Sequence, residues 1–262
     1  MNTTFEGNMN LEARKTIVFG GAGGIGSAIA AVFAREGADV ALVDSRPPGE
    51  AAASVHTHGR QALSLTADIT SRREVNQAVA TTLAQFGRID VLVNAAGVTS
   101  FGSAATLEEA EWDRVLAINL KGVMLSCQAV IPAMSAAHYG RIINIGSVLG
   151  KNGGNARPWI DPGEQLVSSN IAYGVSKAGV HTLTLYLARE LASYGVCVNA
   201  VAPGPIASAM TKNFPDRLKA AIPLGRMGTA QEVAETVLFL ASDAASFITG
   251  EIIDVNGGAW GD

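Results

Sequence analysis

The run Thr16-Ile-Val-Phe19-Gly20-Gly-Ala-Gly-Gly24-Ile-Gly26 decides how this chain folds. Its first four residues read as a buried strand, glycines follow without a gap, and a helical pattern runs from Ile25 to Arg35. Glycines suit such a junction because the backbone must turn tightly beside a helix N-terminus, whose partial positive charge favours a phosphate. A strand, a Gly-rich turn and a helix in that order point to dinucleotide binding.

The same alternation continues outward. Apolar runs at 39–43, 62–65, 89–93, 141–145, 196–200 and 251–254 read as further strands. Helical spacing covers 74–86, and 109–134 holds one long helix or two shorter ones. Strands separated by helices, without hairpin turns, imply right-handed crossovers and a parallel sheet covered on both faces. The expected architecture is therefore α/β: a Rossmann-type, doubly wound parallel sheet of about seven strands with helices on both faces. No repeat or low-complexity linker divides the chain, so 1–262 is read as one domain.

The second strand ends in Asp44, where an acidic side chain would hold ribose hydroxyls and repel a 2′-phosphate. That favours NAD over NADP, although the guanidinium of Arg46 could accommodate such a phosphate. A second constellation is Ala172-Tyr-Gly-Val-Ser-Lys177: on a helix, Tyr173 and Lys177 share one face. A cation beside a phenol favours the phenolate, so Lys177 is expected to lower the pKa of Tyr173 and make it a proton carrier.

Composition excludes several alternatives. Hydrophobic residues make up 48% and charged residues 16%, which permits a large core and argues against disorder. A net charge of −4 offers no basic footprint for nucleic acid. The opening residues lack a charged segment followed by an apolar one, and no apolar run approaches a membrane span, so a cytoplasmic protein is expected. Cys127 and Cys197 are read as small core residues, no metal site is expected, and His56 and His58 read as a solvated loop pair.

Taken in order, these motifs resemble the short-chain dehydrogenase/reductase family over about 16–258. Gly20, Gly23, Gly24, Ile25 and Gly26 are similar to its glycine loop, and Asp68-Ile69 matches the position contacting adenine. Asn94-Ala95-Ala-Gly97 matches the segment closing the fourth strand beside the cofactor. Pro203-Gly204-Pro-Ile206-Ala-Ser208 resembles the loop holding the nicotinamide amide, and Ile253-Asp-Val-Asn-Gly-Gly258 the family's ending. The resemblance implies a catalytic set of Asn119, Ser147, Tyr173 and Lys177. Ser147 would bind the reacting oxygen and Tyr173 move the proton. Lys177 would also hold the nicotinamide ribose, and Asn119 a water leading to solvent. It further implies a homotetramer or homodimer. Three plainer roles stay open: Asn119 as a helix bend, Ser147 as a strand end, and Asp68 as a cap for the helix near Ser71.

The chain departs from that pattern in places. Phe19 and Gly146 stand where threonine and a second serine are usual. Ser147 and Tyr173 are separated by more residues than the family shows, the surplus lying in an insertion near 149–170. Its glycines and prolines predict a loop rather than an extension of either flank, emerging at the substrate mouth. Its cations Lys151 and Arg157 suit a hydroxylated or anionic substrate, with Arg157 as the anion contact. A lid is expected near 205–225, including Met210, Lys212, Phe214 and Arg217. The expected function is NAD-dependent hydride transfer at a sugar, polyol or hydroxy acid. The alternative is a 3-oxoacyl-thioester reductase using NADPH, and a remoter one is a dinucleotide-binding scaffold without catalysis.

Overall fold

In the computed structural model, residues 9–154, 163, 170–208, 211 and 215–261 are described. Strands β1 (Lys15–Phe19), β2 (Asp39–Asp44), β3 (Ala62–Thr66), β4 (Val91–Asn94), β5 (Gly140–Ile145), β6 (Val196–Pro203) and β7 (Ile252–Val255) form one sheet. Its order is β3-β2-β1-β4-β5-β6-β7, and every pairing is parallel. The order reverses between β1 and β4, so a crevice opens beyond their carboxyl ends, where α/β sheets bind ligands.

The helices are α1 (Gly24–Arg35), α2 (Gly49–Thr57), α3 (Arg72–Phe86), α4 (Glu109–Leu116), α5 (Gly122–Ala137), α6 (Leu149–Asn152), α7 (Ile171–Leu191), α8 (Asp216–Ala220) and α9 (Ala230–Ala241). Strand alternation sends Val18 to one face of the sheet, among Ile29, Phe33 and Val237 of α1 and α9. Ile17 and Phe19 go to the other face, with Val79, Val130 and Val180 of α3, α5 and α7. Burial on both faces explains why β1, β2 and β4 are apolar almost throughout.

Several expectations change. The helical stretch 109–137 has the length and hydropathy of a membrane span, contrary to the sequence reading. Yet Val115, Val123, Leu125, Val130 and Met134 within it are buried in the protein core. It is two helices joined by a π-helical turn, Ala117–Lys121. His56 lies in the last turn of α2 and His58 caps it, rather than both lying in a loop. The insertion begins as a separate short helix, α6, which includes Lys151 and Asn152.

Candidate active site

The glycine turn is set by backbone contacts. Gly20 has φ +86, and a Cβ there would collide with the main chain of Ala95 and Ala96 on the neighbouring strand. A Cβ on Gly26 would strike the Gly20 carbonyl, while one on Gly24 would meet nothing. The turn is thus closed on the protein side and open on the other. α1 starts beside it with no side-chain cap and no acidic residue in its first turn, leaving N–H groups available for a phosphate. This cradle fits a dinucleotide.

Asp44 ends β2 with its side chain only 12% exposed. It accepts from the Ala22 N–H of the glycine turn and from Arg46 N–H, both at 3.1 Å. The carboxylate therefore stands at the edge of the cradle, while the Arg46 side chain is 75% exposed. A groove of about 650 Å³ beside them is lined by Ala22, Ser27, Arg46, Pro48, Glu50 and Ser54. Asp68 is exposed and accepts from Thr70 N–H and its hydroxyl at 2.8 Å. The cap of α3 is Ser71 instead, accepting from Glu74 N–H. Ile69 is buried against Gly122.

Asn94 and Gly97 behave differently from one another. The Asn94 amide donates to Asn144 at 2.9 Å and accepts from Ser126 at 2.6 Å, so its side chain is spent inside the core. Gly97 borders the crevice: a Cβ there would lie 3.4 Å from Lys177 Nζ and 3.5 Å from Asn119 Oδ1. Ala95 N–H pairs with the Phe19 carbonyl. In the loop after β6, the Pro203 carbonyl accepts from Val148 N–H, and Gly204 packs on Asn256. Ile206 is buried, and the Ser208 hydroxyl meets that of Thr211 at 3.3 Å. Met210, Lys212 and Phe214 lie outside the described residues, as does Arg157.

Asn119, Ser147, Tyr173 and Lys177 converge from three places in the chain. Asn119 sits in the π-helical turn, a distortion frequent at functional sites. It accepts from Val98 N–H at 2.8 Å and donates to the Val98 carbonyl at 2.9 Å and to Ser176 Oγ at 3.1 Å. Ser176 Oγ in turn donates to the Tyr173 carbonyl at 2.7 Å. Ser147 follows β5, and its hydroxyl is close enough to the Tyr173 phenol to favour the phenolate. Lys177 is 3% exposed, donates to the Ile145 carbonyl at 2.7 Å and lies 5.8 Å from the Tyr173 ring centre.

These positions correct the expected electrostatics. Burial pushes the Tyr173 phenol above its ordinary value, and the Ser147 hydroxyl pulls against that. The Lys177 ammonium is held by the Ile145 carbonyl, and burial pushes Lys177 itself down to about 8. Lys151 has partners in the fold. Its ammonium turns to β7, donating to the Ile252 carbonyl at 3.1 Å and to Asp254 at 3.0 Å.

Sequence reasoning passed over Ser176 and His181. Ser176 lay inside the Tyr173–Lys177 run, and its hydroxyl links Asn119 to the Tyr173 backbone. His181 stands one further helical step along that face. The signal for it was Gly146 in place of the usual serine, because a Cβ at 146 would overlap His181 Nε2.

A family model described as Enoyl-(Acyl carrier protein) reductase matches residues 20–259. Over 256 residues the chain is 38% identical to a 3-oxoacyl-(acyl-carrier-protein) reductase FabG of Thermotoga maritima, covering 95% of this chain and 99% of that one. It is 41% identical over 254 residues to the same-named protein of Staphylococcus epidermidis, covering 94% and 99%. The solved structure of levodione reductase matches with a TM-score of 0.85 at 31% identity, covering 94% of this chain and 97% of that one.

Proposed function

This chain belongs to the short-chain dehydrogenase/reductase family of nicotinamide-linked oxidoreductases acting on CH–OH groups, and we propose that it reduces the ketone of a 3-oxoacyl thioester. The observation carrying this reading is the Tyr173 phenol, held above its ordinary value by burial beside the Ser147 hydroxyl. Such a phenol is protonated at neutral pH, the state required to give a proton to a carbonyl. The name borne by the similar reductases supplies the substrate class. It displaces the sugar or polyol as first choice.

The glycine turn, Asp44 and Gly97 would hold the dinucleotide, with Lys177 and the 203–208 loop on its nicotinamide side. When bound, the dinucleotide supplies the hydride to the carbonyl carbon. Tyr173 Oη gives its proton to the carbonyl oxygen as that carbon is reduced, so an alcohol forms. Ser147 Oγ hydrogen-bonds the same oxygen and stabilises its developing charge. Lys177, next to the ring, favours the phenolate left behind, and the Asn119 region is the route for its reprotonation. Asp44 at the cradle edge favours NAD over NADP, because a 2′-phosphate would face its carboxylate.

Asp44 also keeps the sugar or polyol reading as the second one. Initial rates with acetoacetyl-coenzyme A, set against a polyol and aldose panel with both dinucleotides, decide between them. Faster turnover of the thioester is expected. Polyol oxidation without thioester reduction overturns the first reading, and equal use of NADPH overturns the cofactor assignment. The same reading carries one cytoplasmic domain assembled as a homotetramer or homodimer. The exposed Val175, Leu185 and Tyr186 of α7 suit such contacts, which sedimentation would test.

A further inference from the structure

Tyr173, Lys177 and His181 follow one another at four-residue steps on α7, so one helix face presents all three towards the end of β5. His181 is 6% exposed, as is Ser147. The Ser147 N–H donates to His181 Nε2 at 3.4 Å. The ring fills the space that side chains beside Ser147 would need: a Cβ on Gly146 would overlap Nε2, and one on Gly150 would lie 3.0 Å from Cε1. The Ser147 turn therefore rests directly on the imidazole. Its hydroxyl is engaged too, accepting from Leu149 N–H at 3.2 Å.

We propose that His181 is a positioning residue that sets Ser147 against Tyr173, and that Gly146 is glycine to admit it. This rests on Ser147 and Tyr173 handling the substrate oxygen and its proton. An Nε2 that accepts from Ser147 is unprotonated, so the neutral ring carries its hydrogen on Nδ1. The imidazole acts as a backbone acceptor at the one turn whose side chain must meet Tyr173. Displacing a reacting group by about 1 Å can cost about a hundredfold in rate, so a weak contact here has leverage.

The experiment compares His181→Leu, which fills the space without an acceptor, with His181→Gln, which offers an amide oxygen. For His181→Leu, kcat is expected to fall at least about tenfold while KM and the dinucleotide Kd stay within about twofold. His181→Gln should recover most of that kcat. An unchanged kcat in His181→Leu, or an equal loss in both variants, overturns the proposal. Independently of turnover, the imidazole ¹⁵N spectrum of the wild-type protein, assigned by the signal lost in His181→Gln, should show hydrogen on Nδ1. Hydrogen on Nε2 overturns the proposal. If wild-type protein reduces no ketone, the reductase reading fails, and the ring tautomer together with the Ser147 amide shift in His181→Leu still decides this one.

Discussion

The glycine turn at 20–26 and the cleft around Tyr173 solve opposite problems. The turn works by having no side chains: Gly20 and Gly26 are required where a Cβ would hit the main chain, and the working groups are backbone N–H. The cleft works by side chains that arrive from the π-helical turn, the end of β5 and α7, and are locked by one another. A turn of the first kind tolerates no added atom at Gly20 or Gly26. A cleft of the second kind tolerates substitution in shape but not in chemistry.

Four substitutions sharpen that contrast. Tyr173→Phe preserves shape and removes the proton donor, so kcat should fall by about 10³ with the dinucleotide Kd unchanged; a burst experiment and a fluorescence titration read the two quantities. Gly26→Ala should do the reverse. Its methyl meets the Gly20 carbonyl, so dinucleotide affinity should drop about a hundredfold and stability by about 2 kcal/mol, from overpacking. Calorimetric melting and binding isotherms measure both.

Lys177 gives a pH signature. Because burial sets it at about 8, kcat/KM should decline as pH rises beyond that value if its charge supports Tyr173. Stability moves the other way: between about 8 and 10.5 the unfolded chain binds more protons than the native one, so stability rises with pH there. Lys177→Met should therefore melt above wild type at pH 7, and the two curves should meet as pH approaches 10.5. The smallest effect belongs to Asp44→Ser, which should improve NADP use relative to NAD by about fivefold, the scale of a partly exposed charge contact. Steady-state rates with the two dinucleotides measure it.

The elements were legible where the cause is local. Burial on both sheet faces makes β1, β2 and β4 apolar, and a Gly-rich turn between strand and helix is visible in eleven consecutive residues. The helix α2 escaped notice because its alanines and small residues carry little periodic contrast. The break at Asn119 left no mark beyond one polar residue in an apolar run, because a π-helical turn changes hydrogen-bond register and not composition. Lys151 could be listed as a cation but not aimed, and the structure pairs it with Asp254 of β7.

By itself the sequence determined the alternation of strands and helices, the cradle for a phosphate and the inventory of reacting groups. Each of these depends on a few neighbouring residues and on the period of the chain. Only the tertiary structure decided which side of its ordinary value the Tyr173 phenol would fall, where the Lys177 ammonium would point, and why residue 146 is glycine. Those outcomes depend on burial and on atoms brought together from distant parts of the chain.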